Sequence, residues 1–556
     1  MVNRSSSLAA FAPLTLILLV SAISGCGSSS NSSDSAAAAP VASTPPPTSP
    51  TAAPAPKPAP TPAPTPAPAP KPAPAPTPAP PPVSHLVTAT NNGDACIAAP
   101  MPAATTLFNA SKKVFAHYLS TFPVSIDNTA PATDYYNKQY LSKTGESGKW
   151  SDAGGFIRQR PLGVPPSASA NWRQLNMESE VRAAIARGIT GFTFNAMAAA
   201  DADSGSALHL MLAAANAVDS RFKIVVMPDI TVLGADSNAV VQIIASVASS
   251  PAAYRLSDGR LVVSPFDAGL NPPTWWQSVI SRLNSLGIHI AFVPTFVGWT
   301  TIADAFAPFS YGFSDWGSAT VRGAAYMQDD PEIIHSTYGK IFMMPVDPQQ
   351  YRPKSFIYWE AGNSAALRAA WSGSIEGNAD WVQLVTWNDF SESSAISPVT
   401  DATLQRSIGT GFYNLTGYYA AWFLTGHQPQ ITHDVLYYFY RRETTSSAAP
   451  AQTQKDAIVT GAAENNIELL AFLTSPGVLK VTIGGKTYTQ NAAAGVVSFK
   501  VPMQPGIPLF TLSRNGAEVF SFHGGIQIYG QTGLPSGVQD FTYWSGSASK
   551  TGVCSL

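Results

Sequence analysis

The chain has 556 residues, a formal net charge of −2 and only 12% charged residues, and no block of lysine or arginine follows its first hundred residues. That balance excludes a nucleic-acid binder and gives no electrostatic hold on an anionic membrane surface. With 12 Trp and 19 Tyr beside so few charges, the composition leans toward a neutral polymer such as a glycan, whose C–H faces stack on rings, although a large core also consumes aromatics.

The N-terminus reads as an export signal. Arg4 precedes the apolar run Leu8 to Val20, and Ile23-Ser24-Gly25-Cys26 follows, a layout that predicts a signal peptide over residues 1–25. The run is too short for a spanning helix. The ISGC stretch resembles the lipobox of bacterial lipoproteins, which implies lipidation of Cys26 and a membrane anchor without a spanning helix. Gly27 then favours an exported outer-membrane lipoprotein, periplasmic or cell-surface; an ordinary secretory signal is the alternative. Residues 26–84 are rich in Ser, Ala and Pro and end in repeats such as APAPKPAPTPAP. Such a segment cannot bury a core, and its prolines favour extended polyproline II. It reads as a disordered stalk, about 30 Pro-rich residues of which reach on the order of 90 Å.

Of three cysteines, Cys96 and Cys554 remain once Cys26 is lipidated. In an exported protein this even pair is expected to form a disulfide tying the two ends of the folded region, two free thiols being the alternative. No Cys and His spacing resembles a zinc site. Neither metal nor cofactor is expected, and a monomer is.

Eight short apolar runs follow: Val114 to Leu119, Gly191 to Met197, Lys223 to Ile230, Arg260 to Phe266, His289 to Phe296, Tyr311 to Trp316, Lys340 to Val346 and Trp381 to Trp387. Helical three-and-four spacing lies between several of them, clearest in Met177 to Arg187, Gly205 to Val218, Ser237 to Ser249 and Thr274 to Leu286. This alternation predicts an α/β architecture, a (β/α)8 TIM-type barrel over residues 85–430. A doubly wound sheet would carry a Gly-rich loop after its first strand, and none follows Leu119. His117, Asn195, Asp229, Asp315, Asp347, Asn388 and Asp389 fall at strand ends, where barrels place chemistry. After about Gln430 the pattern becomes β-strands with tight turns at Gly484-Gly485 and Asn515-Gly516, which predicts a C-terminal all-β sandwich over 431–556. Its strands are expected at Ile467 to Thr474, Val478 to Ile483, Val496 to Val501, Leu509 to Ser513, Glu518 to Phe522 and Ile526 to Tyr529.

Cleaving a glycosidic bond needs one carboxylic acid to protonate the leaving oxygen and one carboxylate to activate water or attack the sugar. The stretch TWNDFSES, Thr386 to Ser393, offers both in Asp389 and Glu392 at the end of the last strand-like run. Three residues of loop allow any separation from contact to about 10 Å. Asp389 could instead cap a following helix with help from Asn388, Glu392 could be an exposed loop charge, and Trp387 could be either a core ring or the floor of a sugar subsite.

TWNDFSES, together with KIFMMPVDPQQYRPK at Lys340 to Lys354, KKVFAHYL at Lys112 to Leu119 and GITGFTFNA at Gly188 to Ala196, resembles glycoside hydrolase family 71, the α-1,3-glucanases or mutanases. The resemblance continues in order through NNIELLAFLTSPGVLKVTIGG at Asn465 to Gly485 and WSGSA at Trp544 to Ala548. It implies an inverting endo-hydrolase of α-1,3-glucan, with a polysaccharide as its partner and Asp389 and Glu392 as its acid and base. The family's TWNDYGES has tyrosine and glycine where this chain has Phe390 and Ser391, which bears on subsite contacts and loop geometry. The family's run after MMPVSP, usually rich in aromatics, is matched here by Asp347-Pro348-Gln349-Gln350-Tyr351, so only Tyr351 carries over as a sugar contact. His117, in the family's FAH motif, is expected to bind a sugar hydroxyl, with a core histidine as the alternative. Asn195, Asp229, Asp315, Trp316, Trp387 and Asn388 are further candidate substrate-binding residues, and Trp299 is placed at an outer subsite. Cleavage of another α-glucan or a bacterial exopolysaccharide, and a non-catalytic glycan-binding role, are the competing functions.

Overall fold

The computed structural model describes residues 89–90, 93–400 and 407–554. The leader, the stalk and Cys26 lie outside the described residues. His85–Leu556 is one compact unit, and no helix among the described residues is long and apolar enough to cross a membrane.

Nine parallel strands form one sheet. In chain order they are β1 (Lys113–Leu119), β2 (Gly191–Ala196), β3 (Lys223–Pro228), β4 (Leu261–Val263), β5 (Ile290–Phe292), β6 (Thr295–Phe296), β7 (Gly312–Asp315), β8 (Ile341–Val346) and β9 (Trp381–Leu384). Their order across the sheet is β5-β4-β3-β2-β1-β9-β8-β7-β6. The expected single run His289 to Phe296 is thus two strands, and the reason is Pro294, which has no N–H to give to a ladder. The chain stays extended there all the same. Val293 N–H donates to the Val263 carbonyl while the Pro294 carbonyl accepts from Ser314 N–H, so the two outermost strands of the sheet are successive pieces of one stretch.

The side-chain period of two divides the sheet's faces. Phe115, Val225, Val262, Ala291, Val293, Met343 and Trp381 gather in one buried cluster drawn from β1, β3, β4, β5, β8 and β9. Their neighbours Val114, Ala116, Phe192, Ile224, Val226 and Phe342 turn to the other face and pack in the main core with the helices. Those helices are α1 (Trp172–Ile185), α2 (Ala207–Val218), α3 (Ser237–Val247), α4 (Pro273–Ser285), α5 (Asp330–Tyr338), α6 (Ala365–Glu376) and α7 (Gly411–Thr425). Asp236 starts α3 by accepting from Asn238 and Ala239 N–H, and Gly339 in left-handed conformation ends α5, both ordinary boundary chemistry.

Beyond α7 the strands pair mostly antiparallel, the exceptions being Gly552–Cys554 with Ala89–Thr90 and Ala457–Ile458 with Ile357–Tyr358, which are parallel. Val435–Tyr440, Asn466–Leu473, Gly495–Pro502 and Trp544–Ser549 belong to a six-stranded sheet that also takes Gly552–Cys554 and Ala89–Thr90; Gly477–Ile483, Lys486–Ala492, Leu509–Arg514 and Ala517–His523 form a second sheet. One apolar cluster draws on both, with Tyr438, Leu469 and Ala471 from the first and Val481, Phe510 and Phe522 from the second. The strand expected at Ile526 to Tyr529 is absent, replaced by an isolated bridge between Gly506 and Ile528. Trp544–Ser549, rich in Ser and Gly, is a strand despite weak β-propensity because it pairs along its length with Val435–Tyr440. Cys96 and Cys554 are disulfide-bonded, with Cα atoms 5.6 Å apart.

Candidate active site

Because all nine strands run the same way, their C-terminal ends share one side, and the polar strand-end residues come together there. The loop after β9 is fastened first to β1. Trp387 N–H donates to the His117 carbonyl, and Asn388 accepts from Leu119 N–H while its amide donates to the Leu119 and Phe122 carbonyls. Asn388 therefore spends its hydrogen bonds on the backbone rather than on a ligand. Trp387 is fully buried in the main core, donating to Glu180 from α1 at 3.2 Å. Both positions, read as substrate contacts in the sequence, are structural supports.

Asp389 comes next and is 6% exposed. Its Oδ1 accepts from Ser391 N–H, Ser391 Oγ–H and Glu392 N–H at 2.8, 2.8 and 3.0 Å. The hydroxyl of Ser391, where the family motif has glycine, thus adds a bond to the carboxylate, and the turn's positive φ falls at Ser393 instead. Burial, followed by the nearby Glu392 charge, raises the Asp389 pKa to about 6, against the pull of Lys354 and the Ser391 bond. Phe390 is fully buried against Phe122, so the family's tyrosine position is here a packing residue.

Glu392 is in a different environment. Its Oε2 accepts from Gln350 Nε2 at 2.6 Å and from Arg352 at 2.9 Å, both from the segment that follows β8. The Arg352 bond is charge-assisted and so of the stronger class of hydrogen bond. A third carboxylate, Asp347 at the end of β8, is buried, and burial together with the charges of Glu392 and Asp315 pushes its pKa well above the usual range. Gly317 makes room for it: a Cβ there would come within 2.6 Å of Asp347 Oδ2, and its φ of +98° suits glycine. Asp315 accepts from Gly298 and Trp316 N–H, and burial above all lifts it to about 6.

His117 and Trp316 meet edge to face at 4.8 Å. Burial lowers the His117 pKa to about 3, so the ring is neutral, and its buried Nδ1 has no protein partner. On the next strands Asn195 Nδ2 donates to Asp229 at 2.9 Å, leaving Asn195 Oδ1 buried and without a partner. Asp229 Oδ1 accepts from Thr231 backbone and hydroxyl and caps the turn Ile230–Leu233. Asp267, nearby, is raised to about 6 by burial and then by Asp229.

Two aromatic assignments are corrected. Tyr351 is 1% exposed, its hydroxyl donating to Asp456 and to the Gln539 carbonyl at 2.6 and 2.8 Å, so it is tied to residues of the C-terminal region and not open to a sugar. Trp299 is 5% exposed in the main core and donates to Asp330 at 3.0 Å; it is no outer subsite. Gln350, Arg352 and Lys354 are the residues that sequence reasoning passed over. The one signal for them was their position just past a strand end, next to the Asp347-Pro348 step.

The family model described as Glycosyl hydrolase family 71 matches residues 167–556. The chain is 28% identical over 378 residues to glucan endo-1,3-alpha-glucosidase agn1 of Schizosaccharomyces pombe, covering 64% of this chain and 86% of that protein. It is 25% identical over 362 residues to mutanase Pc12g07500 of Penicillium rubens, covering 61% and 78%. Among solved structures, a GH99 endo-alpha-mannosidase from Bacteroides thetaiotaomicron aligns with a TM-score of 0.43 at 15% identity, over 56% of this chain and 97% of that one. The family match spans well over half of the chain, which therefore belongs to glycosyl hydrolase family 71 and is a glycoside hydrolase.

Proposed function

We propose that this enzyme hydrolyses α-1,3-glucosidic linkages within α-1,3-glucan, endo-acting and with inversion, using Asp389 as general acid and Glu392 as general base. The name of the first relative, a glucan endo-1,3-alpha-glucosidase, supports the linkage and the endo mode. The observation that carries the roles is the contrast between two carboxyls on one loop: Asp389 raised to about 6 by burial and Glu392, and Glu392 paired with Arg352. Protonated Asp389 gives its proton to the departing glycosidic oxygen. Glu392 takes a proton from a water molecule whose oxygen bonds to the anomeric carbon from the opposite face, yielding the β-anomer. Asp389 Oδ1 is filled by three loop donors, which leaves Oδ2 to carry the proton. His117 Nδ1 and Asn195 Oδ1 are suited to sugar hydroxyls because each is buried without a partner.

We read the nine-stranded sheet as a closed (β/α)8 barrel over residues 85–430, with 431–556 as a β-sandwich. The bonding of the stretch 290–296 to both β4 and β7 sides supports the closure. The leader and Pro-rich stalk support an exported monomer anchored through lipid on Cys26; mass spectrometry of the mature N-terminus tests this, and any first residue other than modified Cys26 contradicts it. For the activity, the expected result is release of reducing oligosaccharides from α-1,3-glucan and not from α-1,4-, α-1,6- or β-linked glucans. Release from one of the latter without cleavage of α-1,3-glucan would contradict the linkage.

A further inference from the structure

The segment between β1 and α1 carries a series of rings that the reaction does not use. Phe390, between Asp389 and Glu392, meets Phe122 edge-on at 5.9 Å. Phe122 lies 6.1 Å from Phe156, and Phe156 stacks on Trp150 at 4.7 Å with planes 14° apart. The inner rings of this series are buried, whereas Phe156 and Trp150 at its outer end are half-buried. Lys354 Nζ stands 5.3 Å from the Phe156 ring, and the same ammonium is close enough to Asp389 to lower its pKa. The outer pair is therefore one lysine side chain away from the general acid. Lys149 Nζ lies 4.8 Å from the Trp150 ring. Residues 149–156 precede the family match, which begins at residue 167.

We propose that Trp150 and Phe156, with the Lys149 ammonium over the first ring and that of Lys354 over the second, form a subsite for a glucosyl unit of the substrate chain beyond the linkage being cut. The inference rests on the reading of the substrate as a neutral glucan. A pyranose ring offers an apolar C–H face to an aromatic ring and hydroxyl oxygens to an ammonium donor, so that it stacks as the long lysine side chain swings aside and donates to its hydroxyls.

The test is calorimetric titration of Asp389→Asn protein, which does not cut its ligand, with α-1,3-linked glucohexaose. Adding Trp150→Ala is expected to weaken binding about tenfold, a loss in keeping with one lost aromatic contact, while Trp150→Phe recovers most of it and the melting temperature stays within error. Equal affinity with and without Trp150 would overturn the subsite, as would failure of the parent to bind the hexaose. Hydrolysis is scored separately on the unmodified enzyme: a hexaose bound through Trp150 but not cleaved would defeat the α-1,3-glucanase reading and leave the subsite standing.

Discussion

Two pairs of carboxylates stand at the strand ends, and their surroundings treat them differently. Asp229 and Asp267, after β3 and β4, are both pushed upward by burial, and among the described residues no cation pairs with either. Asp389 and Glu392, after β9, share their side with Arg352 and Lys354. Glu392 takes the guanidinium, while Asp389 is buried, saturated on one oxygen by its own loop, and raised to about 6. Acid–base catalysis needs two carboxyls whose environments push them apart. Of the two pairs, the β9 pair alone sets a buried carboxyl, raised to about 6, beside one that is paired with a guanidinium. Asp229 instead accepts from the Asn195 amide and the Thr231 hydroxyl.

The largest expected effect separates the pairs outright. Asp389→Asn and Glu392→Gln should each lower kcat by about 10²- to 10⁴-fold, the usual worth of a general acid or base, whereas Asp229→Asn should act mainly on KM, by about tenfold, as the loss of a charged hydrogen-bond partner does. Steady-state kinetics on α-1,3-glucan oligosaccharides checks this; a kcat loss for Asp229→Asn as deep as for Asp389→Asn would erase the contrast. Next, Arg352→Ala removes the cation that sets the β9 pair apart. It should cut kcat by about tenfold, in line with a lost charge-assisted bond. An unchanged kcat would mean that Arg352 plays no part in the work of the β9 pair.

The smallest effect concerns support from behind. Glu180 is buried under Tyr118 and Trp387, and burial raises its pKa from 4.5 to about 8. The folded state thus keeps this proton where the unfolded chain has lost it, so the contribution to stability is full below 4.5 and is lost as pH rises through about 8. Glu180→Gln removes the dependence. Its melting temperature relative to the parent should rise steadily across that window, and a difference constant with pH would contradict the linkage.

The strands were legible because a parallel strand buried on both faces reads as a short continuous apolar run. So was the position of Asp389 and Glu392 after the strand Trp381–Leu384, since a loop directly after a strand has to emerge at the strand-end side. Side-chain direction was not legible. Trp387, Asn388, Tyr351 and Trp299 all stand near strand ends, yet each turns inward, because a partner distant in sequence claims its polar atom: Glu180, the Leu119 and Phe122 carbonyls, Asp456 and Asp330. Arg352 could not be matched to Glu392 from sequence either. The two are 40 residues apart and meet because β8 and β9 pair in register, Val346 against Leu384. Asp347 was visible at its strand end without a role, since only burial beside Glu392 and Asp315 makes it unusual.

The most direct measurement follows the anomeric proton signals by NMR during hydrolysis of α-1,3-glucan oligosaccharides by the parent enzyme and by Asp389→Asn and Glu392→Gln. The account predicts that the β-anomer appears first with the parent, before mutarotation, and that neither variant produces a signal on the same timescale while both keep the parent's fold. First appearance of the α-anomer, or near-normal release by either variant, would contradict it.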